Sequence, residues 1–507
     1  MKKIISFILS LTIIFTLAGC SDNESFVVSL EFDNKVVTLD PQLATTITDK
    51  LLIKNLYEGL LREDENKNIV CGAAKSYDIS ENGLTYKFIL RDDLLRSDGT
   101  NLTAYDFEFG FKRALSPITK APYSYLLSDV SSYEAIDKKT FVVTLKNKND
   151  NFIKTLCKSI CMPCNEAFFN NSKGKYGLDK DFILTNGSFF LKKWTTDGEY
   201  NLRISKSPNY NGNFISKVSA LNVSIGDESE RQTKIEKNYI DFGFVNYSYA
   251  NYKSENAYYY SNFNTTYILL INNSGLLKNI NTRIAVEKSI HRTLIKNNLP
   301  DCFLDANNLI PFSIKENNPE LKDKIANIKA FEYNPSEAGE YYRQSLKELK
   351  NESLSGLNII YPKDENIKIL ASTLAETWQQ TINGYINIKE DSISNIYNSI
   401  SSNQFDFAII PINAENNDIF EFFNEFNKFN CIDNKIFNNE LNKIKNSKSN
   451  NELLNNISSL LNLISKNHNV IPIVNGATVF AYSSDYKVPN INPENGYIDF
   501  SFIEKIK

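Results

Sequence analysis

Apolar and polar positions alternate along SFVVSLEF, residues 25–32, in the period of two that predicts a half-buried strand, and TLDPQ follows as a turn closed by Pro41. Over residues 48–61 the period changes to that of a helix, with Leu52, Ile53, Leu56, Tyr57 and Leu60 on one face. GLTYKFILRDDLLRSDGTNLTAYDFEFGFKRAL, residues 83–115, predicts a strand, a turn at Asp98-Gly99 and a helix. Thr103 and Asp106 are spaced as a capping box, and Phe107, Phe111 and Ala114 recur on the buried face. TFVVTL at 140–145 is a further strand, and from about 185 strands dominate, in GSFFLKKW, YNLRIS and ALNVSI.

Strand and helix alternate in the second half. TTYILLINN is followed by a helix over Arg283–Ile295, then LNIIYP, a helix around LASTLAETWQQ, INIKE and FDFAIIPI. That order predicts an α/β lobe built on a mixed sheet. The Asn-rich stretch 433–469 looks low in complexity, yet Leu453, Leu454, Ile457, Leu460, Leu461 and Ile464 form a helical stripe that belongs in a core.

The N-terminus has a different character. Lys2 and Lys3 precede the apolar run ISFILSLTIIFTL and the small Ala18 and Gly19, the pattern of an export signal. As a membrane span the run is marginal, because about 20 apolar residues are needed. Leu17-Ala18-Gly19-Cys20 resembles a bacterial lipobox, which implies cleavage before Cys20 and acylation of its thiol. Residues 1–19 are then a signal peptide and Cys20 a lipid anchor, since two or more acyl chains hold a protein stably on a membrane.

Without residues 1–19 there remain 54 basic and 60 acidic side chains, a net charge near −6, which argues against nucleic acid as a partner. The remaining length exceeds what one core usually supports, so two or three domains are expected. Cys71, Cys157, Cys161, Cys164, Cys302 and Cys431 are too few and too uneven for a disulfide framework. CKSICMPC has the C-x3-C-x2-C spacing of an iron–sulfur class, but an exported chain favours buried thiols or a single disulfide there, and no metal is expected. His291 and His468 are the only histidines, which excludes a histidine-rich metal site. No G-x-S-x-G or H-E-x-x-H motif is present, so a hydrolase is not expected.

Taken in order, TLDPQ, NLYEGLLRED, GLTYKFILRDD, SDGTNLTAYDFEFGFKRAL, APYSYLL, AIDKKTFVVTL, TNGSFFLKKW, SPNYNG, NYIDFG, NTRIAVEKSIHR, FDFAIIP and VIPIVNG resemble the extracellular solute-binding proteins of peptide-type ABC importers. This is the oligopeptide and dipeptide binding family, and the strings cover the chain after residue 19. The resemblance implies an α/β, two-lobed fold of the periplasmic-binding-protein type II kind, with an extra domain inserted in the N-terminal lobe. Lobe I would take residues 20–57, 170–262 and 485–507, the insert 58–169, and lobe II 263–484. It implies no enzymatic activity and no cofactor. The expected partners are a peptide or other small solute, the ABC permease subunits and the membrane reached through the lipid anchor. The expected state is a monomer on the extracellular face of a Gram-positive cell membrane or on the periplasmic side.

The resemblance also places ligand contacts. Thr45, Thr46 and Ile47 fall on the first-lobe strand that pairs with ligand, and Pro411, Ile412 and Asn413 on the second-lobe strand. Tyr123 falls on a pocket aromatic, and Glu415 on the carboxylate that holds a peptide α-amine. Ile409, Ile412 and Glu415 stand where family members carry an aromatic and an Asp, often with an Arg. Ile396, Ile400 and Asn475 stand in for other pocket cations and aromatics. Losing those cations removes a means of selecting a free peptide carboxylate. A receptor of the same fold that senses peptide signals or adheres to a host is the alternative reading, and a nickel binder would lack its histidines.

Overall fold

The computed structural model describes residues 26–149, 152–195, 200–249, 252–300, 302–316, 318–350, 354–414, 418–429, 431–447, 449–489, 491 and 498–506. Cys20, with the signal and lipobox, lies outside these residues, as does Glu415. The chain divides into two compact units, one of residues 1–243 with 482–507 and one of residues 244–481.

Unit 1 begins with β1 (Val27–Phe32), the strand expected from its alternation. Helix α1 (Ile47–Leu56) follows the Asp40–Leu43 turn. The helix stops earlier than its apolar face suggested: Tyr57 is already extended and Leu60 lies past the end. Further along unit 1 come β2 (Ala74–Ile79), β3 (Thr85–Leu90), α2 (Ala104–Leu115), β4 (Val130–Ala135) and β5 (Thr140–Leu145). These strands form an antiparallel sheet in the order β2-β3-β5-β4. Helix α2 packs Phe107, Phe111 and Ala114 into the same core as Phe88, Phe141 and Val143. Its start is fixed as the spacing predicted: Thr103 N–H donates to Asp106 Oδ2 at 2.7 Å. Gly99 has φ +83°, so the Asp98-Gly99 turn uses a conformation glycine adopts freely.

The larger sheet of unit 1 comprises β1, β6 (Phe189–Thr195), β7 (Asn201–Lys206), β8 (Ala220–Ile225) and the first half of β9 (Phe242–Val245). The order is β9-β1-β8-β7-β6, with β1 parallel to both its neighbours and the other pairs antiparallel.

Unit 2 contains β10 (Ala257–Ile271), α3 (Ile280–Lys288), β11 (Ser355–Pro362), α4 (Glu365–Ile382), β12 (Tyr385–Asp391), α5 (Ile393–Ser401), β13 (Phe407–Asn413), α6 (Ile419–Asn427), α7 (Asn434–Lys445), α8 (Asn450–Ser465) and all but the last two residues of β14 (Val470–Ser483). Its sheet runs β12-β11-β13-β10-β14, parallel from β12 to β13 and antiparallel between β13 and β10. The Asn-rich stretch is α7 and α8, and Leu454, Ile457, Leu460, Leu461 and Ile464 are buried with Ile268, Ile410 and Ile412.

One helix predicted over Arg283–Ile295 is two in the structure. α3 ends at Lys288, and a second helix runs Arg292–Asn298. His291 starts the second one, its Nδ1 accepting the Leu294 N–H at 3.2 Å, while Ser289 Oγ turns back onto the Ala285 carbonyl at 2.7 Å. Side-chain bonds of this kind compete with continuation of the helix.

Candidate functional site

Of the residues expected to touch ligand, Pro411, Ile412 and Asn413 lie together at the carboxyl end of β13, where open α/β sheets place ligands. Register determines which backbone groups are available. Ala414 N–H donates to the Asn264 carbonyl at 2.7 Å, and Ile412 pairs with Thr266. In an antiparallel pair the hydrogen-bonded positions alternate, so Asn413 and Pro411 turn their backbone groups away from β10. Pro411 therefore sits in the sheet without sacrificing a β10 bond. On the other side, β11 pairs with β13 only at Phe407 and Ala408. The Pro411 carbonyl and the Asn413 N–H and carbonyl are thus left on an open edge among the described residues.

Polar side chains gather around this strand end. Thr265 Oγ1 donates to Asn413 Oδ1 at 2.8 Å, Thr478 Oγ1 to Asn264 Oδ1 at 3.3 Å, and Asn475 Nδ2 to Thr266 Oγ1 at 3.3 Å. Asn475 is fully buried and its Oδ1 has no hydrogen-bond partner among the described residues. The adjoining Gly476 leaves room for the Tyr267 ring, which a Cβ there would approach to 2.8 Å. Burial, then the negative charge of Asp364, pushes the Tyr267 hydroxyl above its ordinary pKa. Ile396 and Ile400 are buried in the core, the residues themselves accounting for the absence of cations there.

In unit 1 the expected strand at Thr45–Ile47 is not formed. Thr46 is instead the N-cap of α1, its hydroxyl accepting the Asp49 N–H at 3.1 Å, and Ile47 is the first helical residue. A Thr followed three residues later by an Asp is an N-terminal capping signal, and it overrides the strand reading. Thr45 is exposed, and Thr46 and Ile47 are half-buried. Asp49 is fully buried; it accepts the Val37 N–H at 2.9 Å and the Thr38 N–H at 3.4 Å, and burial raises its pKa. Tyr123 is half-buried and joins this segment through Lys50, whose Nζ donates to the Tyr123 hydroxyl at 2.7 Å.

The cysteines of CKSICMPC are free thiols packed in unit 1. Burial pushes Cys157 up to about 12 and Cys164 up to about 11. Thiols buried in this way pack as small apolar groups.

Lys315, which the sequence did not single out, lies on the short helix Phe312–Glu316, whose Phe312 meets the Phe263 ring of β10. Burial lowers its pKa from 10.5 to about 8, against the opposing pull of Asp305. Only tertiary burial produces this, so no local pattern announces it. Between about 8 and 10.5 the unfolded chain binds more protons at this amine than the folded one. Stability should therefore rise with pH across that window and level off above it. Lys315→Met should remove this part of the slope and raise the melting temperature most below about pH 8. Melting curves at stepped pH measure the difference, and identical slopes would contradict the assignment.

Comparison with known proteins places this architecture. Residues 68–433 match the family described as bacterial extracellular solute-binding proteins, family 5 Middle. The chain is 26% identical to the dipeptide-binding protein of Lactococcus lactis subsp. cremoris over 435 residues, 78% of each chain. It is 24% identical to the oligopeptide-binding protein OppA of Bacillus subtilis over 389 residues, 71% of this chain and 70% of that one. The structure of Listeria monocytogenes OppA bound to peptide superposes with a TM-score of 0.78 at 20% identity, covering 95% of this chain and 99% of that one. Solute-binding proteins of this family are not enzymes. With the family match spanning most of its length, the chain belongs to the bacterial extracellular solute-binding proteins, family 5.

Proposed function

We propose that the protein captures a peptide for an ABC importer, as a monomer tethered by a lipidated Cys20 at the extracellular face of the membrane or on the periplasmic side. The observation that carries this reading is the open backbone edge at Pro411–Asn413. An extended peptide adds to such an edge as a further strand, its main chain supplying affinity independent of sequence. The neutral, amide-rich surroundings formed by Asn413, Asn264 and Asn475 fit backbone recognition better than selection of a charged side chain. Thr45, Thr46, Ile47 and Tyr123 are proposed as further contacts, Thr46 and Ile47 offering a helix start and Tyr123 a ring and hydroxyl. Hydrogen exchange tests the edge: peptide added to unliganded protein should slow exchange of the Asn413 amide. Unchanged exchange of that amide at saturating peptide would refute strand addition.

The anchor follows from Leu17–Cys20 alone, and no helix among the described residues is long and apolar enough to cross a membrane. Cys20→Ser should release the protein to the medium or leave it unprocessed. Fractionation and the mass of the N-terminal peptide read this out, and unchanged retention with unchanged processing would exclude the anchor.

A further inference from the structure

At the other end of the unit 2 sheet, beneath the start of β13, lies a cavity of about 510 Å³ walled by Arg283, Asn272, Asn273, Asn403, Asn467 and Asn469, with Phe405 and Phe429 as apolar surface. Arg283 is only 6% exposed and forms no ion pair among the described residues. Its Nε donates to the Asn467 carbonyl at 2.7 Å, and its Nη1 to the Leu277 and Lys278 carbonyls at 2.6 and 3.0 Å and to Asn273 Oδ1 at 3.2 Å. Nη2 has no acceptor among the described residues. A buried guanidinium held only by neutral oxygens carries a charge with no counter-ion beside it, which is a costly arrangement. Burial accordingly lowers its pKa.

Asn469 also lines the cavity, its Nδ2 donating to the Cys431 carbonyl at 3.4 Å. The cavity thus presents an unused cationic donor beside neutral amides. Cys431 also lines it, and burial pushes that thiol up to about 12, so it adds no negative charge at neutral pH. The adjoining depression, which shares Asn272, Asn403 and Phe405, holds Asp391 and Asp406 with Lys389. Asp406 Oδ2 is taken up by the Asn358 N–H at 3.0 Å and Nδ2 at 3.3 Å.

From the unused Arg283 donors and the amides of Asn272, Asn273, Asn403 and Asn467 around one cavity, we propose that unit 2 carries a second binding site, for a small hydroxylated carboxylate. The carboxylate accepts from Arg283 Nη2, as guanidinium groups favour. The wall amides pair with the hydroxyls, and the Phe405 and Phe429 rings cover the carbon chain. This site is separate from the peptide edge at Asn413 and does not depend on it.

Gluconate is the probe, because it carries one carboxylate, several hydroxyls and no amine. Sorbitol, of the same length without the carboxylate, is the control. Calorimetry on the full chain should show gluconate binding and no sorbitol binding. Asn403→Asp puts a negative charge on the cavity wall at an exposed residue whose φ of +58° aspartate also tolerates. It should weaken gluconate at least about tenfold while leaving peptide affinity unchanged. Arg283→Lys should weaken it similarly if that variant folds, since a lysine lacks the planar fork. Absence of gluconate binding, equal binding of sorbitol, or wild-type gluconate affinity in Asn403→Asp would each overturn the site and reduce Arg283 to a staple for the carbonyls of 277, 278 and 467.

Discussion

Arg113→Ala is expected to destabilise unit 1 by about 3–5 kcal/mol, the usual result of stripping one partner from a buried ion pair. Arg113 and Asp40 are 5% and 1% exposed. Nη2 donates to Asp40 Oδ2 at 2.5 Å, and Nη1 to Asp40 Oδ1 at 3.0 Å and Gln42 Oε1 at 2.5 Å. The guanidinium also lies 4.1 Å from the centre of the Phe169 ring. Burial alone would lower the arginine's pKa, but the Asp40 carboxylate more than offsets it and the net shift is upward. Removing the arginine leaves the buried Asp40 carboxyl without its guanidinium partner at the head of the turn that leads into Thr45–Ile47. Arg113→Lys should rescue little, because a single ammonium cannot serve both carboxylate oxygens and Gln42 together. The two tryptophans fall one in each unit, Trp194 and Trp378, so denaturant unfolding followed by fluorescence in a Trp378→Phe background reports unit 1. A loss under about 1 kcal/mol would mean the pair stabilises no more than a surface ion pair does.

Glu415→Ala is expected to weaken peptide binding by about 2–5 kcal/mol, roughly 30- to several-thousand-fold in affinity. Glu415 lies outside the described residues, but the chain is fixed on both sides of it. Ala414 is bonded to Asn264, and Asp418 caps α6 through Oδ1, which accepts the Phe420 and Glu421 N–H groups at 2.9 Å. Asp418 is therefore committed to its helix, which leaves Glu415 as the acid proposed to meet a peptide α-amine beside the open edge. Glu415→Gln keeps the length and removes the charge, so it should lose most of the same affinity. Acetylating the peptide's amine should weaken wild type and leave Glu415→Ala nearly unchanged. Calorimetry with free and acetylated peptide measures all four combinations, and equal losses on acetylation in both proteins would remove Glu415 from the site.

Much of the fold was legible because its signals are local. β1, β5 and the Thr103–Asp106 cap need only alternation or a fixed spacing, and the stripe through α8 survives its asparagines because helices are held by one apolar face. Misreadings arose where a side chain redirected the backbone. His291 and Ser289 divide the helix expected over Arg283–Ile295, and Thr46 converts an expected strand into a helix start. At the candidate site, FAIIPIN was readable as a buried strand running out into polar residues. The open edge was not, since it depends on β11 ending its pairing at Ala408 and on the register with β10. The lowered pKa values of Lys315 and Arg283 are products of burial by residues distant in sequence, and single-chain patterning carries no trace of either.

The central claim, that this chain captures a peptide, is tested most directly by native mass spectrometry of protein purified without denaturation from its own host. The expected spectrum shows the intact chain together with a heavier species, whose added mass is released on activation and sequences as peptide. Washing through denaturant and refolding should remove that species, and adding the recovered peptide should restore it in wild type but far less in Glu415→Ala. A spectrum in which the bound species is a solute with no amide backbone, restored equally well in wild type and Glu415→Ala, would contradict peptide capture while leaving the family assignment intact.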